Sequence, residues 1–217
     1  MGMGEKLEEW EYSDHVAKDT VVTACETILG ILKNDAAGML NVVQDTRPSH
    51  KEMFKYVVPG GRDYLAGNYR GAPYPQLVDR PVFIGVFSCG HFSQVEMLMQ
   101  DFHEKLYAGL QRISDFFKAS SFNSEQKIIA FSKFVSTFFV RFLTIHPYAN
   151  GNGHISRWLV WCIFNYKSVK CAFWSVPDRN LSPPDRYIGY FREGKTEPLI
   201  QSFAELIERE NSGKDLH

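Results

Sequence analysis

Two strongly apolar stretches, joined by a short loop that contains glycine, constrain the fold of this chain more than any other feature. In the first stretch, bulky apolar residues recur at the spacing of one helix face: Phe131, Phe134, Val135, Phe138 and Phe142. The second stretch, HISRWLVWCIFNY from His154 to Tyr166, is apolar on nearly every side, which is typical of a helix enclosed by other elements. The sequence therefore predicts a mainly α-helical fold with this second helix at its centre.

The rest of the chain predicts further helices and one hairpin. Apolar periodicity, proline starts and capping residues indicate helices at residues 14–34, 48–58, 93–119 and 123–145, one after Pro183 and Pro184, and one at 197–210. Residues 64–91 are rich in proline and glycine and contain a β-branched and aromatic run, Val82 to Phe87. This run predicts a short β-hairpin within a loop.

The length of the chain favours one domain, because 217 residues can bury a substantial core but are short for two full domains. We expect an N-terminal helical segment, residues 1–47, and a core with the C-terminal helix, residues 48–217, in one compact unit. The four cysteines lie far apart without CxxC spacing, which favours a reduced, cytoplasmic protein. Delivery into the cytosol of another cell is equally compatible with this composition.

Composition also limits the partners. A net charge of −1 supplies no basic stripe for a phosphate backbone, so nucleic-acid binding is not expected. No apolar run approaches the roughly 18 to 20 residues of a membrane span, so no membrane association is expected either. The oligomeric state stays open, with a homo-oligomer as one possibility.

The loop between the two apolar stretches reads HPYANGNGHISR, from His146 to Arg157. Consecutive backbone N–H groups in a glycine-rich turn at a helix start form an anion-binding nest. Gly151 and Gly153 permit positive φ and a close approach of phosphate oxygens, and Asn152 offers a further side-chain donor. The pattern therefore predicts a phosphate site.

Two cationic or titratable side chains flank this predicted nest. Arg157, one turn into the helix and on the face of His154, is placed to bind a polyphosphate. His146, at the end of the preceding helix, is placed to take a proton from a hydroxyl that attacks a bound phosphorus. A zinc site formed by His146 and His154 is not favoured, because no third ligand follows at a suitable spacing.

The motif resembles the signature of the Fic (filamentation) family, H-P-F-x-D/E-G-N-G/K-R-x-x-R. The matching positions are His146, Pro147, Tyr148, Gly151, Asn152, Gly153 and Arg157. Upstream, AGNYRG at residues 66–71 is similar to the A-G-x-Y-R that usually precedes the hairpin flap of that family. The resemblance covers residues from about 48 to 208, most of the chain.

This resemblance implies a Fic-like helical bundle with a β-hairpin flap that transfers AMP from ATP to a hydroxyl of a target protein. It implies that His146 is the general base, that Gly151 to Gly153 cradle the phosphates, and that Arg157 contacts the far end of the triphosphate. Pro147 and Tyr148 are expected to anchor the loop in the core. The target would add a strand to the flap, and Mg²⁺ or Mn²⁺ would offset the phosphate charge.

Two positions depart from the family pattern. Asn150 occupies the position of the acidic metal ligand, and an amide oxygen can bind Mg²⁺ but brings no negative charge. His154 replaces the first arginine, which lowers the number of hydrogen-bond donors for the nucleotide. Three readings stay open: a working adenylyltransferase, a transferase for another phosphate-containing donor, or a nucleotide-binding module without transfer activity.

The C-terminal LIEREN resembles in part the inhibitory helix that many Fic proteins carry, with Glu210 followed by Asn211. Leu206 stands where serine or threonine is expected. A contact between Glu210 and Arg157 is the corresponding hypothesis.

Overall fold

The computed structural model describes Trp10 and residues 15–84, 86–118, 124–170, 174–178 and 183–211, with side chains as far as residue 209. The predicted helix ends at residues 119 and 123 lie outside this part of the chain. So does the side chain of Glu210, and the hypothesis that it contacts Arg157 stays a prediction.

The described residues form eight α-helices and one two-stranded antiparallel sheet. The helices are α1 (His15–Leu32), α2 (Ala36–Gln44), α3 (Arg47–Phe54), α4 (Val95–Lys118), α5 (Ser124–Ile145), α6 (Asn152–Tyr166), α7 (Asp185–Arg192) and α8 (Glu197–Asn211). The strands are β1 (Phe83–Ile84) and β2 (Phe87–Ser88), with Phe83 opposite Ser88 and Ile84 opposite Phe87. The predicted mainly helical fold with a short hairpin is confirmed.

Two local predictions need correction. Residues 36–44 were not predicted as a helix, although α2 begins after Asp35, whose side chain accepts a hydrogen bond from the N–H of Gly38 at 2.8 Å. The helix predicted at residues 48–58 ends earlier, at Phe54, and turn residues follow it.

The core forms where α5 packs against α4, α6, α7 and α8. The apolar stripe of α5 faces this core: Phe131, Val135 and Phe142 are buried, and Phe134 and Phe138 are partly buried against them. Helix α6 lies against α2 and α5, and most of its residues are buried. The prediction that this helix is enclosed is therefore confirmed.

Helix α5 corrects the statement on membrane spans. It has 22 residues and a mean hydropathy of 1.7 in its most apolar window, which is long and apolar enough to cross a membrane by length and composition alone. In that window 56% of the helix is buried inside the protein. The apolar character of α5 is accounted for by its packing in the core.

The N-terminal helices contribute to the same core. Helix α1 packs against α3, and α2 packs against α4 and α6. Val21, Cys25 and Val43 are buried within one cluster with the residues of α4 to α6. The predicted boundary after residue 47 falls within the first turn of α3.

Candidate active site

The loop between α5 and α6 has an unusual backbone that its own side chains stabilise. His146 has a φ of 52° and Gly151 a φ of 76°, both in the left-handed region that L-residues with a Cβ seldom adopt. Asn152 braces the loop: its Oδ1 accepts the N–H of Tyr148 at 2.9 Å, and its Nδ2 donates to the carbonyl of Tyr148 at 2.9 Å. The side chain of Asn152 therefore holds the loop, whereas the sequence suggested a donor to phosphate.

Tyr148 anchors the loop in the core, as expected from the motif. Its ring is fully buried, and its hydroxyl hydrogen-bonds that of Thr46 at 2.7 Å. The ring stacks on that of His50, with 3.8 Å between ring centroids. His50 was not found from the sequence, because it belongs to α3 and lies far from the motif along the chain.

The tautomer of His50 follows from its two partners. Its Nδ1 accepts the N–H of Gly67 at 2.9 Å, so Nε2 carries the proton and donates to the carbonyl of Asn150 at 3.0 Å. Burial lowers the pKa of His50 from 6.5 to about 3. A neutral imidazole thus ties the loop to α3 and to the AGNYRG segment.

Gly151 is required by packing against α3. A Cβ at this position would lie 2.4 Å from Cε2 of Phe54 and 3.2 Å from Nε2 of His50. The positive φ adds a second reason for glycine. This position therefore allows close contact with α3, in addition to any role beside a phosphate.

The first turn of α6 presents backbone donors. The first backbone hydrogen bond of the helix joins the N–H of Ile155 to the carbonyl of Gly151 at 3.1 Å. Within the described residues, the N–H groups of Asn152 and Gly153 have no hydrogen-bond acceptor, as is normal at the start of a helix. These donors, with the positive end of the helix dipole, suit an anion.

One cavity of about 490 Å³ brings three of the predicted residues together. His146, Gly153 and Arg157 line it, together with Ile84 and Phe87 of the hairpin. Residues of α7 complete the wall: Asp185, Ile188, Gly189 and Arg192. The other predicted residues are not among its lining residues: Asn150, Gly151, Asn152 and His154.

Arg157 is buried, with 5% of its surface exposed. Its Nε donates to the carbonyl of Val176 at 2.6 Å, and its own carbonyl accepts from Nε1 of Trp174 at 2.8 Å. These contacts fix the guanidinium in the wall of the cavity, where the sequence placed it.

His154 lies against the aromatic side of α3. Its ring meets the ring of Phe54 edge-on, with 5.7 Å between centroids. Burial, and to a lesser extent the charge of Arg157, lowers its pKa from 6.5 to about 3. His154 is therefore neutral at pH 7 and adds no positive charge to the site.

Asn150 is engaged at both ends of its amide. Its Oδ1 accepts the N–H of Gly151 at 2.7 Å, and its Nδ2 donates to the carbonyl of Trp10 at 2.8 Å. Among the residues that line the cavity, Asp185 is the one carboxylate. Across the described residues, no group of three or more His, Cys, Asp or Glu side chains could hold a metal ion. The site therefore fits a protein-held Mg²⁺ poorly, and the assignment of Asn150 as a metal ligand stays a prediction.

His146 is kept neutral by its surroundings. Burial is the main cause that lowers its pKa from 6.5 to about 4, and the charges of Arg70, Arg192 and Arg80 act in the same direction. The carbonyl of Leu143 partly opposes this change, although Nδ1 makes no hydrogen bond of normal geometry within the described residues. At pH 7 the ring is thus neutral, and its lowered pKa makes it a weaker base than an ordinary histidine.

Arg70 holds the backbone of the site, a role that could not be predicted from its place in AGNYRG. Its side chain is 1% exposed. Its guanidinium donates at 2.7–2.9 Å to four carbonyl groups, those of Arg80, Gly90, Ile145 and His146. Its own N–H donates to the carbonyl of Pro147 at 2.7 Å. Arg70 therefore joins the loop, the end of α5 and both sides of the hairpin segment.

Comparison of the chain with protein-family models and with curated proteins gives no match. The family resemblance therefore depends on the sequence segments HPYANGNGHISR and AGNYRG alone.

Proposed function

We propose that this protein is a protein adenylyltransferase that transfers AMP from ATP to a hydroxyl of a target protein. The observation that carries the proposal is the cavity in which a neutral His146, Gly153 of the first turn of α6, and Arg157 meet under the hairpin. This combination supplies a base, an anion site and a fixed cation in one place.

In the proposed reaction, the hydroxyl oxygen of the target forms a bond to the α-phosphorus of ATP. The bond from that phosphorus to the oxygen bridging to the β-phosphate breaks, and pyrophosphate leaves with the electron pair. The hydroxyl proton passes to His146. Because Nδ1 of His146 is buried, Nε2 is the ring nitrogen that we assign as acceptor.

The other residues bind and orient the donor. The N–H groups of Asn152 and Gly153 hold phosphate oxygens, and Arg157 binds the far end of the phosphate chain. Mg²⁺ or Mn²⁺, bound to the triphosphate, would offset part of its charge. The residues that line the cavity do not identify a protein ligand for this metal ion. No step of the proposed reaction therefore depends on such a ligand.

The hairpin is the proposed docking site for the target. Phe83 is 65% exposed and Val86 is 91% exposed, so apolar side chains are available beside the unpaired edges of β1 and β2. An extended segment of a target can add a strand at such an edge. The proposal places the protein in a cytosol, its own or that of another cell, where ATP is present.

The direct test is incubation of the purified protein with ATP labelled in the α-phosphate, with candidate cell extracts as targets. We expect covalent label on the protein itself or on a target, and its loss in His146→Ala. Arg112→Ala, on the exposed face of α4, is the matched control and should keep the activity. Equal labelling by His146→Ala and the wild type would contradict the proposal.

A nucleotide-binding module without transfer activity is the second candidate, and the geometry of Asn150 favours it. An amide engaged with Gly151 and Trp10 does not supply the charge of the family's acidic residue. The double variant Asn150→Asp, His154→Arg separates the two candidates. Strong labelling by the variant with none by the wild type would support the binding module.

The third reading, transfer from another donor, is tested with a panel of nucleoside triphosphates and other phosphodiester donors, with Mg²⁺ or Mn²⁺. The mass added to the modified protein identifies the group transferred. A mass other than that of AMP would replace the adenylyltransferase proposal by this reading.

A further inference from the structure

A second arginine lines the cavity from outside the motif. Arg192 is the last residue of α7, and the cavity wall contains it together with His146, Gly153 and Arg157. Among the described residues, the lining therefore carries two guanidinium groups and one carboxylate, that of Asp185. The positive charge of Arg192 helps to lower the pKa of His146, so the two side chains are near enough to interact.

The guanidinium of Arg192 is positioned but not neutralised. Its Nε donates to Oγ1 of Thr144 at 3.2 Å, and its Cζ lies 5.5 Å from the centre of the Phe87 ring. Its Nη2 is buried and has no hydrogen-bond partner in the described part of the chain. No carboxylate among those residues forms a salt bridge with it.

A buried N–H donor of a cation without an acceptor is costly. A phosphate oxygen that reaches the guanidinium from the cavity would supply an acceptor, and a charge-assisted hydrogen bond of this kind is among the stronger polar contacts in proteins. Burial lowers the pKa of Arg192, but an arginine stays protonated at pH 7.

We propose that Arg192 is a second donor-binding cation, whose guanidinium binds a phosphate oxygen of the nucleotide beside His146. This inference rests on the proposed function, because it names a further contact of the same donor. Thr144 and Phe87 hold the guanidinium in place before the donor binds. Since the site lacks an acidic metal ligand at position 150, Arg192 supplies positive charge that the protein would otherwise obtain through a metal ion.

The test is the affinity of the full chain for ATP, ADP and adenosine, measured by titration calorimetry in Arg192→Gln and in the wild type. We expect Arg192→Gln to weaken ATP binding about tenfold or more, as loss of a charge-assisted hydrogen bond does, and to leave adenosine binding unchanged. Arg192→Lys should restore part of the loss. Arg186→Gln, on the exposed side of the same helix, is the control and should stay within about twofold of the wild type.

The outcomes separate the two proposals. Wild-type protein that does not bind ATP overturns both. Wild-type protein that binds ATP, with an unchanged affinity in Arg192→Gln, overturns the role of Arg192 alone, as does an equal loss of adenosine binding. If Arg192→Gln melts at a much lower temperature than the wild type, Arg192→Met takes its place, because methionine can still pack against Phe87. The affinities of that variant for ATP and adenosine are then compared in the same way.

Discussion

Arg70 is the residue on which the geometry around His146 most depends. Its buried guanidinium satisfies four carbonyl groups at once. In Arg70→Met these acceptors lose their donor, and we expect the free energy of unfolding to fall by roughly 3–5 kcal/mol, the usual cost of breaking a buried charged network. Urea denaturation measures this loss.

The control for this variant is Arg112→Met, because Arg112 is exposed on α4. An exposed substitution of this kind should change the stability by no more than about 0.5 kcal/mol. A loss for Arg70→Met as small as that of the control would contradict the role given to Arg70.

Gly151 gives a second residue-scale prediction. Gly151→Ala places a Cβ 2.4 Å from Phe54 at a φ of 76°, so we expect a loss of more than about 1 kcal/mol in stability. Gly30→Ala is the matched variant, since Gly30 lies exposed in α1 and an added Cβ meets nothing within 4 Å. That variant should gain roughly 0.5–1 kcal/mol, and equal effects of the two variants in thermal unfolding would exclude this explanation.

The sequence could identify the residues of the motif, but not those that hold it from elsewhere. His146, Gly153 and Arg157 are close in the chain, so their meeting in one cavity follows from the spacing of a loop and a helix turn. His50, Arg70 and Arg192 reach the site through tertiary packing, and no local pattern marks them. The engagement of Asn150 with Trp10 likewise depends on a distant segment.

At the scale of elements, the strongly periodic helices were predictable and the short ones less so. Helices α4 and α5 carry apolar stripes over 24 and 22 residues. Helix α2 has only 9 residues, and its glycine and asparagine weaken the helical signal. The capping carboxylate of Asp35 was the signal that could have found it.

Trp10 links the N-terminal segment to the loop before α6. Its side chain is 2% exposed, its Nε1 donates to the carbonyl of Val57 at 3.1 Å, and its ring meets His50 and Phe54 edge-on.

Trp10→Ala removes this packing, and we expect about 3–5 kcal/mol of destabilisation in urea denaturation. Tyr56→Ala, at a side chain that is 74% exposed, should have little effect; comparable losses in both would argue against an anchoring role for Trp10.

The whole molecule carries several neutral, buried histidines, and this predicts how stability depends on pH. The pKa values of His50 and His154 are lowered to about 3 and that of His146 to about 4, whereas the unfolded chain binds these protons near pH 6.5. Between these pH values the unfolded state binds more protons, so stability is fully present above about pH 6.5 and falls as the pH decreases. Each histidine adds about 1.4 kcal/mol per pH unit to the slope.

Urea denaturation between pH 4.5 and 8 measures this dependence. His154→Phe, which keeps a ring against Phe54 and cannot be protonated, should reduce the slope below pH 6. A stability that does not change between pH 5 and 7 would mean that the pKa values of these histidines are not lowered in the folded protein.

For the whole molecule, the mainly helical fold class could be predicted from apolar periodicity alone. Helices with an apolar stripe bury that stripe by packing against one another. The activity does not follow in the same way, because it depends on charges and donors placed within one cavity. Asn150 and His154 show this, because their residue types suggested weaker binding of metal and phosphate. In the structure Asn150 donates a hydrogen bond to the carbonyl of Trp10, and His154 packs against the ring of Phe54.

The central claim is that the start of α6 binds the phosphates of a nucleotide beside His146. The amide resonances of Asn152 and Gly153 report on it directly in a ¹⁵N-labelled sample titrated with ATP. We expect both resonances to shift saturably with ATP and to stay in place with adenosine, because the phosphates accept these N–H groups. Resonances of Asn152 and Gly153 that do not move at saturating ATP would contradict the claim.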